Sequence, residues 1–255
     1  MGFFCTFASG SSGNCALYVD GRARILIDAG TSLKHITSCL RAVNMTPEAL
    51  SHILITHSHS DHTAALSMLL KHTRAAVVCT EETAAALPAA PERVIVLHAG
   101  ESAMLESCRV RSFATPHDAP GSCGYVLGSG EGQVAVCTDL GVMTPEIAAT
   151  VLGSPTVLLE SNHDVGMLRD GPYPYYLKQR ILSDHGHLSN ESCARAARYF
   201  VRNGTRRVLL AHLSAENNTP ERALDSTRTL LDADGYGDVR VEVAPRRGVG
   251  EAVLF

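Results

Sequence analysis

Three histidines and an aspartate fall within six positions, directly after an apolar run with the character of a strand. The segment reads ITHSHSDHTAAL, and its ligand-type residues are His57, His59, Asp61 and His62. Imidazole nitrogens together with carboxylate oxygens suit Zn²⁺, Mn²⁺ or Fe²⁺, and the lack of cysteine among them argues against a structural zinc site. His57 and His59 can face one way while Asp61 and His62 face another, so the segment predicts two neighbouring metal positions.

A catalytic pair of metal ions needs more ligands than this one segment supplies. The later sequence offers His117, Asp139 and His212, each placed just beyond an apolar strand, where side chains leave the core and reach solvent. We expect these three residues to complete the site. His163 and His187 are the alternatives should one of the three not take part.

Elements of α/β character must position these residues. Short strands rich in valine, isoleucine and leucine alternate with amphipathic segments in both halves of the chain, which predicts sheets buried between helices. The patterns predict helices over residues 32–43, 62–72, 189–204 and 219–235. Because nothing resembles a linker or a low-complexity segment, we expect one domain over residues 1–255.

Composition narrows the class of protein. The formal net charge of −4 argues against a surface that is basic throughout, so any contact with nucleic acid would need a local basic patch. The sequence contains no apolar run long enough to cross a bilayer and no secretory pattern at its start, which predicts a cytoplasmic protein without membrane contact. The eight cysteines form no C-x-x-C pair and are expected to be buried, reduced thiols.

The H-x-H-x-D-H segment with the later histidine, aspartate and histidine resembles the metallo-β-lactamase fold. That fold is an αββα four-layer sandwich, in which two mixed sheets are flanked by helices and a binuclear site lies at one edge. The resemblance implies two sets of ligands and a bridging group. These are His57, His59 and His117 for one metal, Asp61, His62 and His212 for the other, and Asp139 between them.

Two divalent ions held close together activate water and suit hydrolysis. This chemistry by itself leaves phosphodiesters, thioesters, lactones and lactams open as substrates. Two further motifs favour a phosphodiester. Ser214 in AHLSAENN resembles the H-x-S element of nucleases of this fold, and Glu160 with His187 is similar to the proton-transfer pair of transfer-RNA 3′-processing enzymes. The alternative is a purely structural role for each motif, in which Ser214 begins a turn and His187 precedes a helix.

Four motifs in the order SGSSGN, THSHSDH, ESNHD and GHLSNE resemble the bacterial YycJ family, also called WalJ. The resemblance implies a 5′ to 3′ exonuclease on double-stranded DNA, linked to mismatch repair, with a hydroxide between the two metals as nucleophile. Asp61, Glu160 and His187 are then the catalytic residues. Substrate contacts are expected from Ser11, Ser12, Asn14, Asn162, His163, Ser214 and Asn217.

Other functions stay open at this point. A transfer-RNA 3′ endonuclease would carry a long insertion between His117 and Asp139, where this sequence has only the 21 residues 118–138. An RNA-processing nuclease, a thioester or lactone hydrolase, and a regulator without catalysis are the remaining alternatives. Candidate phosphate contacts are Arg169, Lys178, Arg180, Arg246 and Arg247, although a solvated surface charge is the commoner role of arginine and lysine. Nothing in the sequence indicates the oligomeric state.

Overall fold

The computed structural model of the protein describes residues 2–87 and 93–255. The chain forms two sheets of seven strands each. Within the described ranges, no helix combines the length and the apolar character that crossing a bilayer requires.

The first sheet is built from both ends of the chain. Its strands are β1 (Phe3–Ala8), β2 (Cys15–Asp20), β3 (Ala23–Ile27), β4 (His52–Leu54), β5 (Ala76–Cys79), β6 (Val94–Val96) and β14 (Val253–Leu254). They are ordered β14-β1-β2-β3-β4-β5-β6. Pairing is antiparallel from β14 to β3 and parallel from β3 to β6.

The second sheet repeats this pattern of pairing. Its strands are β7 (Ser102–Leu105), β8 (Cys108–Ala114), β9 (Cys123–Leu127), β10 (Val134–Cys137), β11 (Thr156–Glu160), β12 (Arg207–Ala211) and β13 (Arg240–Val243). They are ordered β13-β12-β11-β10-β9-β8-β7, antiparallel from β7 to β10 and parallel from β10 to β13. Every residue of β10 and β11 is buried, as their continuous apolar composition predicts.

Nine helices accompany the strands within the described ranges. They are α1 (Leu33–Ala42), α2 (Ser60–Thr63), α3 (Leu66–Leu69), α4 (Glu81–Ala86), α5 (Pro145–Val151), α6 (Val165–Asp170), α7 (Tyr175–Ile181), α8 (Asn190–Arg202) and α9 (Pro220–Ala233). Hydroxyl side chains at Ser32, Ser189 and Thr219 cap α1, α8 and α9, so the three longest predicted helices are confirmed. Sequence patterns did not predict α5, β7 or β14.

The prediction of one helix over residues 62–72 is wrong. The segment is divided into α2 and α3 because distant backbone takes the hydrogen bonds that a continuous helix needs. The amide of Ala65 donates to the carbonyl of Ala29 at 2.9 Å, and the carbonyl of Asp61 accepts from the amide of Asn14 at 2.8 Å. The interruption ties this segment to both neighbouring loops of the first sheet.

Three hydrophobic clusters separate four layers. The central cluster contains residues of both sheets, such as Phe4, Ile25 and Tyr125, and none from the helices. A second cluster packs the first sheet against α1 and α3, and a third packs the second sheet against α5, α8 and α9. The predicted αββα sandwich of two mixed sheets flanked by helices is therefore confirmed.

Candidate metal centre

The predicted ligand residues gather at one end of the strands. In the first sheet, β4 runs out into a short loop that carries His57 and His59, and α2 then carries Asp61 and His62. The second sheet supplies one residue from each of four strand ends: His117 beyond β8, Asp139 beyond β10, Glu160 at the end of β11 and His212 directly after β12. Two regions far apart in sequence thus contribute to one cluster.

The first donor set comprises His57, His59 and His117. One ring nitrogen from each of these residues lies within 4.8 Å of the others. His57 Nδ1 is 3.1 Å from the Thr56 hydroxyl, and His117 Nδ1 donates to the Gly186 carbonyl at 3.2 Å. The opposite nitrogen of His57, Nε2, is buried without a hydrogen-bond partner among the described residues, and Nε2 of His117 lies 3.2 Å from Asp118 Oδ1 without the geometry of a hydrogen bond. Buried nitrogens that make no hydrogen bond fit a metal ion.

The second donor set comprises Asp61, His62 and His212, whose ligand atoms again lie within 4.8 Å of one another. Asp61 Oδ2 is 3.5 Å from His62 Nε2 and 3.4 Å from His212 Nε2. Two imidazoles and a carboxylate can hold a divalent metal ion. Asn14 also reaches this set, with its side-chain nitrogen 2.9 Å from His62 Nε2.

Asp139 lies between the two donor sets. Its Oδ2 is 3.2 Å from His62 Nε2, and its Oδ1 is 3.4 Å from His212 Nε2 and 3.9 Å from His117 Nε2. The carboxylate is almost fully buried, and Oδ2 makes no hydrogen bond within the described ranges. This placement fits a group shared between two cations.

The backbone is strained at the same point. Asp28, Asp139 and His212 have φ values of +59°, +57° and +56°, in the left-handed region that residues other than glycine rarely adopt. Such strain is kept only where the surrounding structure imposes it, and it concentrates at functional sites. Here it turns three side chains towards the cluster directly after their strands.

Burial and charge act in opposite ways on the histidines. Burial lowers the pKa of His57 to about 2, which keeps that imidazole neutral and able to bind a metal. For His212, burial would lower the pKa, but the carboxylates of Asp139, Asp61 and Glu160 raise it to about 10. Burial would raise the pKa of Asp139, yet His212 and His62 hold it well below its usual value. The centre thus favours positive charge among its carboxylates.

Asp28, which the sequence reasoning missed, supports the second donor set. Its Oδ2 accepts a hydrogen bond from His62 Nδ1 at 2.8 Å, which directs His62 Nε2 towards Asp139. Thr56 holds the same carboxylate through its amide at 2.9 Å and its hydroxyl at 3.0 Å. Carboxylates that orient ligand histidines in this way tune metal binding. An available signal was the repeated Asp-x-Gly, at residues 28–30 and 139–141, after a strand in each sheet.

Glu160 contacts two histidines at once. Its Oε1 accepts from His187 Nδ1 at 2.7 Å and lies 3.0 Å from His212 Nδ1. Oε2 accepts from the amides of Leu140 and Leu188 at 3.0 and 3.2 Å, so the carboxylate is fixed on both sides. The predicted pairing of Glu160 with His187 is present in the structure. Its contact with His212 was not predicted and adds a role in orienting that ring.

Comparison with known proteins places this geometry in a family. Residues 23–213 match the beta-lactamase superfamily domain. The chain is 33% identical to the exodeoxyribonuclease YycJ of Bacillus anthracis and 37% identical to the exodeoxyribonuclease WalJ of Streptococcus pneumoniae. Each comparison covers 92% of this chain and 90% of the relative. The chain belongs to the YycJ/WalJ family.

A solved structure supports the fold of this YycJ/WalJ family member. The metallo-beta-lactamase fold protein YhfI from Bacillus subtilis superimposes with a TM-score of 0.75, over 98% of this chain and 99% of that chain. The sequence identity is 16%, so this likeness concerns the fold alone.

The residues predicted to contact substrate are distributed over three environments in this YycJ/WalJ family member. Ser11, Asn162 and Ser214 line the same cavity, of about 230 Å³, as the metal centre. Ser12 lines a neighbouring cavity instead. The remaining three are buried and do not line the metal cavity: Asn14, which contacts the second donor set, His163, and Asn217, whose amide donates to the Ser214 hydroxyl.

The candidate phosphate contacts also lie in different parts of the structure. Arg180 lines the metal cavity and forms an ion pair with Asp118 at 3.2 Å. Arg246 and Arg247 line the neighbouring cavity, where Ser12 lies. The Lys178 ammonium donates to the carbonyl of Arg169 at 2.6 Å, away from the metal donors. Arg180 is therefore the candidate phosphate contact that lies at the metal cavity.

Proposed function

We propose that this protein is a metal-dependent phosphodiesterase that degrades DNA from a 5′ end. The observation that carries the proposal is the convergence of two donor sets on the Asp139 carboxylate, at a cavity that is also lined by His187, whose ring is held from behind by Glu160. The names of its relatives, which are exodeoxyribonucleases, support DNA as the substrate.

The proposed metal ligands divide as the donor sets do. His57, His59 and His117 would hold one divalent ion, which the buried Nε2 of His57, without a hydrogen-bond partner among the described residues, supports. Asp61, His62 and His212 would hold the second, with Asp139 shared between the two. Zn²⁺ and Mn²⁺ both suit imidazole and carboxylate donors, and Fe²⁺ is a third possibility. The chemistry that a bound pair supplies is activation of water near neutral pH and neutralisation of phosphate charge.

His187 is the proposed proton donor to the leaving oxygen. Glu160 accepts from its Nδ1, which leaves the second ring nitrogen available to the cavity that His187 lines. A carboxylate that engages one imidazole nitrogen fixes the orientation of the ring. The ring also stacks on His212, with centroids 5.2 Å apart, so its position relative to the second donor set is fixed.

Ser214 and Ser11 are proposed to contact the phosphate. Both line the cavity, and neither adds charge to a centre that already has the carboxylates of Asp61, Asp118 and Asp139 in its lining. The Ser214 hydroxyl accepts from the amide of Asn217 at 3.1 Å, so its own proton is free to be donated to a phosphoryl oxygen. Arg180 at the same cavity supplies positive charge.

The proposal is tested with purified protein, Mn²⁺ or Zn²⁺, and duplex DNA carrying a 5′-phosphate and a label at either end. We expect mononucleotides to be released first from the 5′ end, and His187→Ala to slow the release without loss of bound metal. A small thioester and a lactone serve as control substrates. Cleavage of these controls with no release of nucleotides under either metal would overturn the phosphodiesterase proposal.

A link with DNA mismatch repair is a further part of the proposal and rests on family resemblance alone. Cells that lack the protein should then accumulate point mutations, and a chain with Asp61→Ala should fail to restore the wild-type rate. An unchanged mutation rate in a fluctuation assay would contradict the link and leave the nuclease proposal intact.

A further inference from the structure

One wall of the metal cavity contains none of the predicted ligands. It is formed by Tyr173, Leu177, Arg180 and Ile181, from α7 and the turn before it. Tyr173 is half-buried there. This wall presents an aromatic ring and a cation to anything bound at the metal centre.

The same helix leaves two aromatic side chains in water. Tyr175 and Tyr176 are each 76% exposed, the most exposed large hydrophobic residues of the described chain. With 3.6 residues per turn, Tyr176 lies about 40° around the helix from Arg180, whereas Tyr175 lies about 140° from the same residue. Tyr176 is therefore beside the cavity-facing stripe of α7, and Tyr175 is on the opposite side.

The charge around these rings suits a polyanion. The sequence of α7, YYLKQRI, contains two cations and no carboxylate, in a protein whose formal net charge is −4. The Arg180 side chain is 58% exposed although it pairs with Asp118. Exposed aromatic rings beside positive charge are the combination with which proteins hold unpaired nucleic-acid strands, through base stacking and phosphate contacts.

We propose that Tyr173 and Tyr176 form a stacking ladder for the nucleobases of the strand whose phosphate enters the metal cavity. The ladder rests on the proposed nuclease function and requires that the nucleotides at the cleaved 5′ end, including those of a duplex, be unpaired when they bind. Bases inside a duplex have both faces covered, so only frayed or single-stranded nucleotides can stack on the rings. Since every base has a π-face, the ladder binds without sequence preference.

The test compares two substrates of the metal-loaded enzyme. One is 5′-phosphorylated DNA with a short single-stranded 5′ end, and the other is a short abasic deoxyribose-phosphate oligomer, a small ester with neither bases nor any other aromatic ring. For Tyr176→Ala and Tyr173→Ala, the ratio of kcat/KM for DNA to kcat/KM for the small ester should fall about 5- to 150-fold. Tyr176→Phe should keep the ratio, because the ring and not the hydroxyl stacks. Tyr175→Ala, with equal exposure on the opposite face, is the matched control and should also keep it.

A second readout does not depend on turnover. The inactive Asp139→Ala chain is mixed with the same DNA bearing 2-aminopurine at its 5′ end, whose fluorescence reports stacking. Binding should change the fluorescence when Tyr173 and Tyr176 are present and should change it much less when both are alanine. Equal signals in the two backgrounds would contradict the ladder.

The outcomes separate the ladder from the function on which it rests. A wild-type enzyme that cleaves neither substrate, or the small ester alone, overturns the DNA nuclease and the ladder together. An enzyme that cleaves DNA with an unchanged ratio in Tyr176→Ala overturns the ladder alone. An equal fall of the ratio in Tyr175→Ala also overturns the ladder. So does a changed sedimentation coefficient in Tyr175→Ala and Tyr176→Ala with DNA cleavage unchanged, which indicates a protein interface on α7.

Discussion

The two sheets pair their strands in the same order yet supply the metal centre in different ways. The first sheet contributes four donor residues from the six residues 57–62 after β4, whereas the second contributes one residue from each of four strand ends. Asp28 and Asp139 occupy matching positions, each where antiparallel pairing gives way to parallel pairing, with φ of +59° and +57°. Asp28 supports His62 from behind, while Asp139 faces both donor sets. Residues at matching backbone positions thus support a ligand in one sheet and face both donor sets in the other.

The largest loss of activity should follow removal of the Asp139 carboxylate, which faces both donor sets. In Asp139→Ala, DNA cleavage should fall by more than the roughly 100-fold that losing a group behind a metal ligand costs. Steady-state cleavage of 5′-phosphorylated duplex DNA measures the loss, and circular dichroism checks that the variant is folded. Full activity in the similarly sized Asp139→Asn variant would show that the carboxylate is not shared between the donor sets.

Loss of the Asp28 carboxylate, which supports His62, should reduce metal binding and activity less. Asp28→Asn removes the charge behind His62 while keeping the volume, so metal affinity or activity should fall about 10- to 100-fold. Metal titration of the variant gives the affinity directly. Asp20→Asn, at the end of β2 in the same sheet, is the matched control and should bind metal as the wild type does. An Asp28→Asn variant that binds metal as tightly as this control would show that Asp28 does not support the metal centre.

These two residues also show what the sequence could predict. The cluster at residues 57–62 was evident because its donors are close in sequence, and His117, Asp139 and His212 were found because each follows an apolar strand. Asp28 follows a strand too, but its carboxylate lies behind His62, and only the fold reveals that contact. The helix over 62–72 was predicted wrongly for a similar reason, since Ala29 and Asn14, which interrupt it, are distant in sequence.

The two donor sets should differ in how pH affects their metal affinity. Burial lowers the pKa of His57 to about 2, so at pH 7 this ligand is already neutral. His212, with its pKa raised to about 10, carries a proton that a metal must displace. Affinity at the second set should therefore weaken about tenfold for each unit by which pH falls below 10, per proton displaced. Calorimetry in buffers of different ionisation enthalpy counts the released protons, and a count of zero at pH 7 would contradict this difference.

The smallest effect should come from Thr80, which follows β5 just as His212 follows β12. Thr80 donates to the Gly121 carbonyl at 2.7 Å and caps α4, so its role is structural. Thr80→Ala should lower the free energy of unfolding by about 1 kcal/mol. Metal content should not change, and Thr80→Ser should retain most of the stability. Loss of metal in Thr80→Ala would mean that this strand end also belongs to the centre.

Metal content per chain tests most directly the claim that both sheets build one binuclear centre. Wild type, His57→Ala and His212→Ala are each equilibrated with Mn²⁺ or Zn²⁺, freed of excess metal and analysed by mass spectrometry, with thermal unfolding as the check on folding. The account predicts two ions per wild-type chain and about one in each variant, because each variant removes a ligand from a different donor set. A single ion in the wild type, or two ions in both variants, would contradict it.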